Sequence, residues 1–274
     1  MSELILSLDS LWAFYLGCSE RQLRDRGKHI VARPDRAFGQ GSPWPLRHGP
    51  ISVFTMGKGW VMSLPEHLLE VAHSLCIDYS FQELVAGGDR LQQAWYDQMQ
   101  TTGRRGPSRG DHGYRVMNRV AESLQLRGWS HYILSYCNPT SWAAKRDEHV
   151  RRIAEDDLEL WRQWQSWPAP MVGPRIAERF EIADAFGYVV EGKLVSAAQL
   201  EANSEEFAWE YGVDTLPEFR GRGFATAVLN RVTEFIIEQG RVPWHYCDPY
   251  NRASMRLPEK LGYFRYGEGL FSAL

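Results

Sequence analysis

The sequence has few cysteines, no apolar run of membrane-spanning length and no concentration of charge of one sign. Its four cysteines among 274 residues form no CxxC pair, so the sequence predicts reduced thiols rather than a disulfide framework. Glu3 and Asp9 interrupt the apolar N-terminus, which therefore lacks the pattern of a signal peptide. We expect a soluble, cytoplasmic protein with no membrane partner.

The charge pattern also argues against two classes of function. The formal net charge is -3, with acids and bases interspersed, so the basic stripe typical of a nucleic-acid-binding protein is missing. The histidines are isolated and lack the spacing of metal ligands. We therefore predict neither a nucleic-acid partner nor a bound metal.

Hydrophobic periodicity predicts an α/β fold in two segments, an N-terminal α/β domain over residues 1–146 and a second over 147–274. In the first segment, we predict a helix over Leu4–Leu16, a hairpin over Ile51–Leu64, a helix over Glu66–Leu75, an exposed loop over Thr101–Gly113, a helix over Tyr114–Leu126 and a strand over Ser130–Cys137. In the second, we predict a helix or helix pair over Asp147–Trp164, a hairpin of Phe186–Val190 and Leu194–Leu200, a strand over Glu206–Thr215, a helix over Phe224–Gln239 capped by Gly240, a strand over Trp244–Asp248, a helix over Arg252–Leu261 and a last strand from Tyr263.

A short internal similarity suggests that the two segments are tandem copies of one unit. Tyr136-Cys137-Asn138-Pro139 resembles Tyr246-Cys247-Asp248-Pro249, and Ala143 and Arg146 match Ala253 and Arg256 at the same offset. Asn118-Arg119-Val120 matches Asn230-Arg231-Val232 upstream. A helix–strand–helix unit would then occur twice. Because the matching segments are short, chance similarity is the alternative.

The strongest chemical signal is a glycine loop between a strand and a helix. Arg220-Gly221-Arg222-Gly223 follows a strand that ends at Leu216-Pro217, and the next helix begins at Phe224. This order aims free backbone N–H groups and the positive end of the helix dipole at one point. The glycines let a phosphate approach the backbone, and the two arginines add positive charge. A diphosphate is the expected ligand, whereas a glycine turn with solvated arginines is the alternative.

Two nucleotide-binding motifs fit this loop poorly. Gly221-Arg222-Gly223 begins like the dinucleotide motif GxGxxG, but Thr226 occupies the position of the third glycine. The Walker A pattern GxxxxGK[ST] is missing from the sequence. A dinucleotide-dependent oxidoreductase therefore remains only as an alternative that NAD(P) binding would test.

The loop and the segment that follows it resemble the GNAT superfamily of N-acetyltransferases. The family motif R/Q-x-x-G-x-G/A is matched by Arg220, Gly223 and Ala225. A second family motif, in which an Asn is followed by a small residue, a Leu and a Gly-aromatic pair, is matched by Asn251, Ser254, Leu257, Gly262 and Tyr263. The resemblance covers about residues 148–274 and implies a GNAT fold with a mixed central sheet. The first segment has no intact phosphate motif around Arg109–Gly113, so we interpret it as a degenerate GNAT-like repeat on the substrate side.

The resemblance implies acetyl-CoA as cosubstrate and assigns residues to it. Together with Arg220, the backbone amides of the residues that follow it would hold the pyrophosphate of CoA. These residues are Gly221, Arg222, Gly223, Phe224, Ala225 and Thr226. The backbone over Val213, Thr215 and Leu216 would pair with the pantetheine arm, and an N–H there would polarise the thioester carbonyl. Asn251 would hydrogen-bond to the pantetheine, and Ser254 would face the sulfur.

Transfer to an amine also calls for a group that accepts a proton. Alternation along the predicted strand gives one face to Phe207, Trp209, Tyr211 and Val213, and the other to Ala208, Glu210, Gly212 and Asp214. Glu210 is the first candidate for the general base and Asp214 the second, although a β-bulge in this region would disturb the alternation. Two acids on a solvated strand face are the alternative.

The position that carries a Tyr in many family members, where it is a proposed general acid, is Pro258 here. A thiol with a pKa of about 8.5 leaves well without protonation, and Ser254 or water could take the place of the Tyr. A further alternative is a covalent route in which Cys247 is the nucleophile and His245 the base. Strand cysteines are more often plain core residues, which argues against this route.

These observations predict an N-acetyltransferase that moves an acetyl group from acetyl-CoA to a primary amine by direct transfer in a ternary complex. The acceptor would be a small amino compound, an antibiotic or a peptide N-terminus. The alternatives are a different acyl-CoA or a non-catalytic acyl-CoA-binding or sensor module. If the two segments are separate domains, a fragment that starts near Asp147 should keep CoA binding.

Overall fold

The structure is a computed structural model that describes residues 3–38, 43–47, 49–86, 116–117, 119, 129–165, 185–200 and 207–272. The helices within these ranges are α1 (Glu3–Leu16), α2 (Glu20–Arg24), α3 (Trp44–Arg47), α4 (Leu69–Cys76), α5 (Phe81–Val85), α6 (Leu158–Gln165), α7 (Phe224–Glu238) and α8 (Arg252–Leu261). The strands are β1 (Lys28–Ala32), β2 (Ser52–Thr55), β3 (Trp60–Leu64), β4 (Trp129–Tyr136), β5 (Val150–Arg152), β6 (Ala185–Val190), β7 (Lys193–Leu200), β8 (Ala208–Trp209), β9 (Tyr211–Thr215), β10 (Val242–Cys247) and β11 (Phe264–Ser272).

Strands from both halves of the chain form one seven-stranded mixed sheet. Its order is β1-β3-β2-β11-β4-β10-β8, and it combines parallel pairs (β1 with β3, β10 with β8) with antiparallel ones. Strand β4 lies between β10 and β11 and is antiparallel to both. The predicted α/β class with a mixed central sheet is confirmed, and the first half of the chain supplies a strand inside the sheet of the second half.

A second, four-stranded sheet has the order β5-β6-β7-β9. The β6–β7 hairpin turns at Glu191 and Gly192, both of which have positive φ, as expected for a tight hairpin turn. Strand β9 follows β8 after one intervening residue, Glu210. The two sheets are therefore joined at that residue.

The helix or helix pair predicted over Asp147–Trp164 starts later than predicted. Residues Val150–Arg152 form β5, which pairs antiparallel with β6, and the helical segment begins only at the 3-10 turn Glu155–Asp157. Asp157 accepts a hydrogen bond from the backbone N–H of Ala154 at 3.1 Å. Its carboxylate also lies 2.6 Å from the Arg151 guanidinium. This carboxylate marks the true helix start, and the run of acids that contains it was the available sequence signal.

The prediction of one continuous strand up to Thr215 is also wrong, because the strand breaks at Glu210. Trp209, Tyr211 and Val213 do pack in the same core cluster, as alternation predicts. Phe207 packs in the other cluster, on the side of α1. The break lets β8 pair with β10 while β9 pairs with β7.

Helix α7 agrees with its prediction from the sequence. Its buried face carries Val228, Leu229, Val232 and Ile236, which recur at helical spacing and pack against the sheet that contains β6, β7 and β9. The N–H of Gly240 bonds to the carbonyl of Ile237 at 2.9 Å, and that of Arg241 to Ile236 at 3.1 Å. These two bonds form a Schellman motif, for which the positive φ of Gly240 is needed.

Helix α1 packs the first half of the chain against strands of the second half. Trp12 stacks on Phe54 at 4.6 Å, and its Nε1 donates to the hydroxyl of Tyr136 at 3.0 Å. Asp9, 1% exposed, pairs with Arg24 and accepts a hydrogen bond from Tyr266 at 2.9 Å. Since Tyr266 belongs to β11, this buried carboxylate ties the N-terminal helices to the last strand.

The proposed repeat remains a prediction. Tyr136 and Tyr246 both lie on strands, but Ala143 lies in an irregular segment, whereas its counterpart Ala253 lies in α8. The predicted loop over Thr101–Gly113 and most of the predicted helix over Tyr114–Leu126 fall outside the described residues.

Candidate functional site

Two neighbouring parallel strands separate from each other in the second half of the chain. Val242 pairs with Ala208, and Pro243 with Trp209, after which β9 follows β7 into the other sheet. The two strands therefore splay apart, and we call the space between β9 and β10 the cleft. The rings of Tyr211 and His245, whose centroids are 5.6 Å apart, lie where the two strands diverge.

The edge of β9 that faces this cleft pairs with no other strand in the described part of the chain. The N–H of Leu216 donates to the carbonyl of Val195 at 2.9 Å. In an antiparallel ladder, alternate residues bond to the same neighbour, so the peptide groups of Val213 and Thr215 point away from β7. The N–H of Thr215 already donates to Asp214 at 2.8 Å. Val213 is thus the better candidate to pair with an extended ligand.

The glycine loop connects this open edge to the N-terminus of α7. Gly221 has φ +76 and Gly223 has φ +90, and a Cβ at either position would meet nothing within 4 Å. Both glycines therefore satisfy a left-handed backbone and leave open space in front of it. Gly223 is the N-cap of α7, whose first turn contains no acid. The first N–H groups of the helix are available to an anion.

The two arginines of the loop donate hydrogen bonds to nearby backbone carbonyls. Arg220 donates through Nε to the carbonyl of Thr215 at 3.0 Å, and its Nη2 lies 3.7 Å from Asp214. Arg222 donates to the carbonyl of Glu218 at 3.1 Å. Arg220 thus contacts the mostly buried Asp214 carboxylate, and both guanidinium groups lie close to the loop.

The two candidate bases differ in their surroundings. The Asp214 carboxylate accepts the Thr215 N–H and lies beside Arg220, with its side chain only 11% exposed. Both contacts involve the same carboxylate oxygen, Oδ1, and they hold the side chain against the loop. Glu210 is half-buried in the break between β8 and β9, beside the point where the cleft opens. Glu210 as the first candidate for the base stays a prediction.

Helix α8 begins with the residues predicted to contact the pantetheine, Asn251 and Ser254. The side chain of Asn251 caps the helix by accepting the N–H of Ser254 at 3.2 Å, which leaves its Nδ2 group as the donor for a ligand. Ser254 Oγ lies 3.0 Å from Nε2 of His245. Pro258 is buried within the helix, so its position offers no acidic group. The bond between His245 and Ser254 is the contact that the sequence interpretation missed.

The covalent route through Cys247 does not agree with the structure. Burial raises the pKa of the Cys247 thiol to about 12, which keeps it protonated, and a protonated thiol is a poor nucleophile. His245, its supposed base, bonds to Ser254 instead. Cys247 is a core residue, 5% exposed.

Lowering the pH should destabilise the protein through His245. Burial lowers the pKa of His245 to about 4, against a smaller raising effect of the Ser254 backbone, whereas the unfolded chain has a histidine pKa of about 6.5. Between these values the unfolded state binds the extra proton, so stability falls as the pH falls through this window. We expect about 3 kcal/mol of the free energy of unfolding to be lost by pH 4 for this reason.

Denaturant unfolding at a series of pH values measures this effect. His245→Gln should show a correspondingly smaller loss between pH 7 and pH 4. His73→Gln, at an exposed position of α4, is the matched control and should behave like the wild type. An equal loss in His245→Gln and wild type would contradict the assignment.

Within the described residues, no group of three or more His, Cys, Asp or Glu side chains is placed to hold a metal ion. No helix in those same ranges is both long and apolar enough to cross a membrane.

Comparisons with known proteins agree on one family. Residues 141–268 match the family model of the GNAT acetyltransferases. The uncharacterized N-acetyltransferase YdfB of Bacillus subtilis is 44% identical over 54 residues, which are 20% of this chain and 21% of that protein. The chain thus spans about a fifth of the length of this curated relative.

Two solved structures are also similar. A putative GNAT-family acetyltransferase of Novosphingobium aromaticivorans is 21% identical with a TM-score of 0.44, over 53% of this chain and 66% of that one. A tandem GNAT protein from the clavulanic acid biosynthesis pathway is 14% identical with a TM-score of 0.40, over 62% of each chain. The assignment to a family rests on the family model and the curated relative.

Proposed function

Because the C-terminal half of this chain belongs to the GNAT superfamily, we propose that the protein is an acyltransferase that moves an acetyl group from acetyl-CoA to a primary amine. The observation that carries this proposal is the continuous path from the open edge of β9 to the N-terminus of α7, where no side chain caps the helix. An extended arm that ends in a diphosphate matches this path in both shape and charge.

The diphosphate of CoA would bind at the glycine loop. The N–H groups from Gly221 to Thr226 lie at or just before the first turn of α7, where the helix dipole adds a positive partial charge. The open space in front of Gly221 and Gly223 admits phosphate oxygens to the backbone. Arg220 and Arg222 raise the positive potential around them.

The pantetheine arm would lie in the cleft between β9 and β10. It would pair with the peptide group of Val213, which points away from β7, and it would accept a hydrogen bond from Nδ2 of Asn251. This orientation would bring the thioester toward the place where the strands converge, near the rings of Tyr211 and His245. The N–H of Val213 would then be the donor that polarises the thioester carbonyl.

Glu210 would accept the proton of the attacking amine. A primary amine with a pKa of about 10.4 is mostly protonated at neutral pH, so a nearby carboxylate assists its conversion to the nucleophile. The carboxylate also attracts the cationic form of the acceptor. Its place in the strand break would put it at the same end of the cleft as the thioester.

Turnover of acetyl-CoA with a panel of primary amines tests the function. The panel contains small amino compounds, aminoglycoside antibiotics and peptides with a free N-terminus, and mass spectrometry identifies the acetylated product. With the best acceptor, Glu210→Gln should lower kcat by about a hundredfold or more without changing the KM for acetyl-CoA. Glu70→Gln, at an exposed acid of α4, should keep the wild-type rate.

Pro258 favours a second candidate, a non-catalytic acyl-CoA sensor, because it replaces the Tyr of many family members. A sensor would bind acetyl-CoA but acetylate no amine in the panel. If only another acyl-CoA is consumed, the reaction type stands and the acetyl specificity is wrong. Equal rates for Glu210→Gln and wild type would move the role of base to Asp214 or to water.

A further inference from the structure

A small pocket opens where the two N-terminal helices and the β2–β3 turn meet the first residues of β11. Its volume is about 270 Å³, near the lower end of the range for small-ligand sites, which begins at about 300 Å³. It shares no residue with the glycine loop or with the strands that border the cleft. Both halves of the chain contribute to its lining, which consists of Ile5, Arg24, Met56, Lys58, Phe264, Arg265 and Tyr266.

Three of these lining residues are basic and none is acidic. Arg24 donates to the Asp9 carboxylate, which is 1% exposed, through Nε and Nη2. Arg265 donates to Glu268 through Nη2. Within the described part of the chain, Nη1 of both arginines has no partner. Each guanidinium group is therefore neutralised by one acid but keeps N–H donors for a ligand.

Lys58 adds a positive charge that no acid neutralises. It is exposed in the β2–β3 turn, and it has no ion pair or hydrogen bond among the residues that the structure describes. A lysine ammonium is a compact charge on a flexible stem, so it can turn toward a ligand at the mouth of the pocket. Carboxylate and phosphate groups form the strongest hydrogen bonds with such a set of lysine and arginine donors.

The remaining lining residues are apolar or aromatic. Ile5, Met56 and Phe264 are each half-buried, and Tyr266 directs its hydroxyl to Asp9 at 2.9 Å, which leaves its ring as the part that a ligand can contact. An inorganic anion would leave this apolar surface unused, and a polycation would be repelled by the basic side chains. The lining therefore suits an anion with an apolar body.

We infer that this pocket binds a small organic anion, with its carboxylate or phosphate beside Lys58, Arg24 and Arg265 and its apolar body against Met56 and Phe264. A separate effector and the acidic end of an acceptor amine both have this chemistry. The inference does not rest on the proposed function, because none of the residues that line the pocket belongs to the candidate acetyl-CoA site.

Ligand-observed NMR titration of the full chain tests the inference with four single-ring compounds. Phenyl phosphate and benzoate carry negative charge, benzamide is neutral and benzylamine is positive. We expect the two anions to bind with a Kd on the order of 1 mM, as is reasonable for about ten non-hydrogen atoms. The neutral and cationic compounds should bind at least tenfold more weakly.

The titration is repeated with excess CoA, because the glycine loop is a second place where phenyl phosphate could bind. Binding at the pocket should persist in the presence of CoA. Complete loss of phenyl phosphate binding when CoA is added would assign it to the glycine loop and overturn the inference.

Two variants locate the bound anion. Lys58→Glu replaces attraction by repulsion and should weaken the binding of phenyl phosphate at least tenfold. Lys145→Glu makes the same change of charge at an exposed position of an irregular segment and should bind like the wild type. Ile5→Ser should weaken the binding of phenyl phosphate by about threefold but leave that of inorganic phosphate unchanged. Arg24 is kept, since its removal would leave the buried Asp9 carboxylate unpaired.

Three further outcomes would overturn the inference. They are an absence of binding of both anions to the wild type, equal affinity of benzamide and benzoate, and equal affinity of phenyl phosphate for folded Lys58→Glu and Lys145→Glu. Turnover assays identify the source of the anion, because competition of phenyl phosphate with the amine indicates the acidic end of the acceptor, whereas a non-competitive effect indicates an effector. If the wild type binds the anions but acetylates no amine, only the proposed function fails.

Discussion

A fragment of residues 147–274 is expected to lose the cooperative unfolding of the full chain and its response to acetyl-CoA. The reason is that β4, which the fragment lacks, lies between β10 and β11. Trp244, 1% exposed in the full chain, would lose its stacking partner Tyr136, whose ring lies 6.0 Å away. The fragment would also expose the apolar surface that α1 covers around Trp12.

The comparison is made by thermal unfolding of the fragment and of the full chain, with and without acetyl-CoA. Residues 1–146 added in trans are the control, because they restore β4 and α1 and should recover part of the transition. A sharp transition in the isolated fragment, with a response to acetyl-CoA equal to that of the full chain, would show that β4 is dispensable. The expectation from the sequence that this fragment binds CoA would then be correct after all.

Elements with strong local signals could be predicted from the sequence. The apolar face of α7, the hairpin around Glu191-Gly192 and the end of α7 at Gly240 depend on periodicity and on glycine with positive φ. Helix α8 was predicted with its observed bounds, Arg252–Leu261, because Asn251 and Gly262 mark its two ends. Such features depend on neighbours in sequence, which a single sequence displays.

Elements that depend on distant partners could not be predicted. The short β5 is a strand only because β6 lies beside it, and without that partner its sequence resembles the start of a helix. The break at Glu210 follows from competition between β10 and β7 for one segment. The insertion of β4 between β10 and β11 has no local sequence signal, because the sheet order is set by contacts between distant segments.

The candidate site shows the same division. The glycine loop and the Asn251 cap are local patterns, and they follow β9 and β10, the two strands that border the cleft. The engagement of Asp214 by Arg220 and the bond from His245 to Ser254 depend on side-chain directions. Periodicity suggested instead that His245 would face Cys247, because residues two apart on a strand share a face.

Gly223→Asp is expected to abolish acetyl-CoA binding. The new carboxylate would enter the open space in front of the N-cap of α7 and occupy the N–H groups that the pyrophosphate needs, since Asp is itself a favoured N-cap residue. It would also repel the phosphates. The positive φ of +90 at this position adds a strain of about 1 kcal/mol, which alone would lower the melting temperature without removing the site.

The measurement that tests the central claim most directly is the shift in melting temperature on adding acetyl-CoA to the wild type, Gly223→Asp and Gly57→Asp. Gly57 is a matched control, because it has the same φ of +90 and the same open space for a Cβ but lies in the β2–β3 turn. At about a hundred times Kd, acetyl-CoA should stabilise the wild type and Gly57→Asp by about 2.7 kcal/mol. It should not stabilise Gly223→Asp, and NAD(P) or ATP should stabilise none of the three. An equal shift in folded Gly223→Asp and Gly57→Asp would contradict the assignment of this loop as the CoA site.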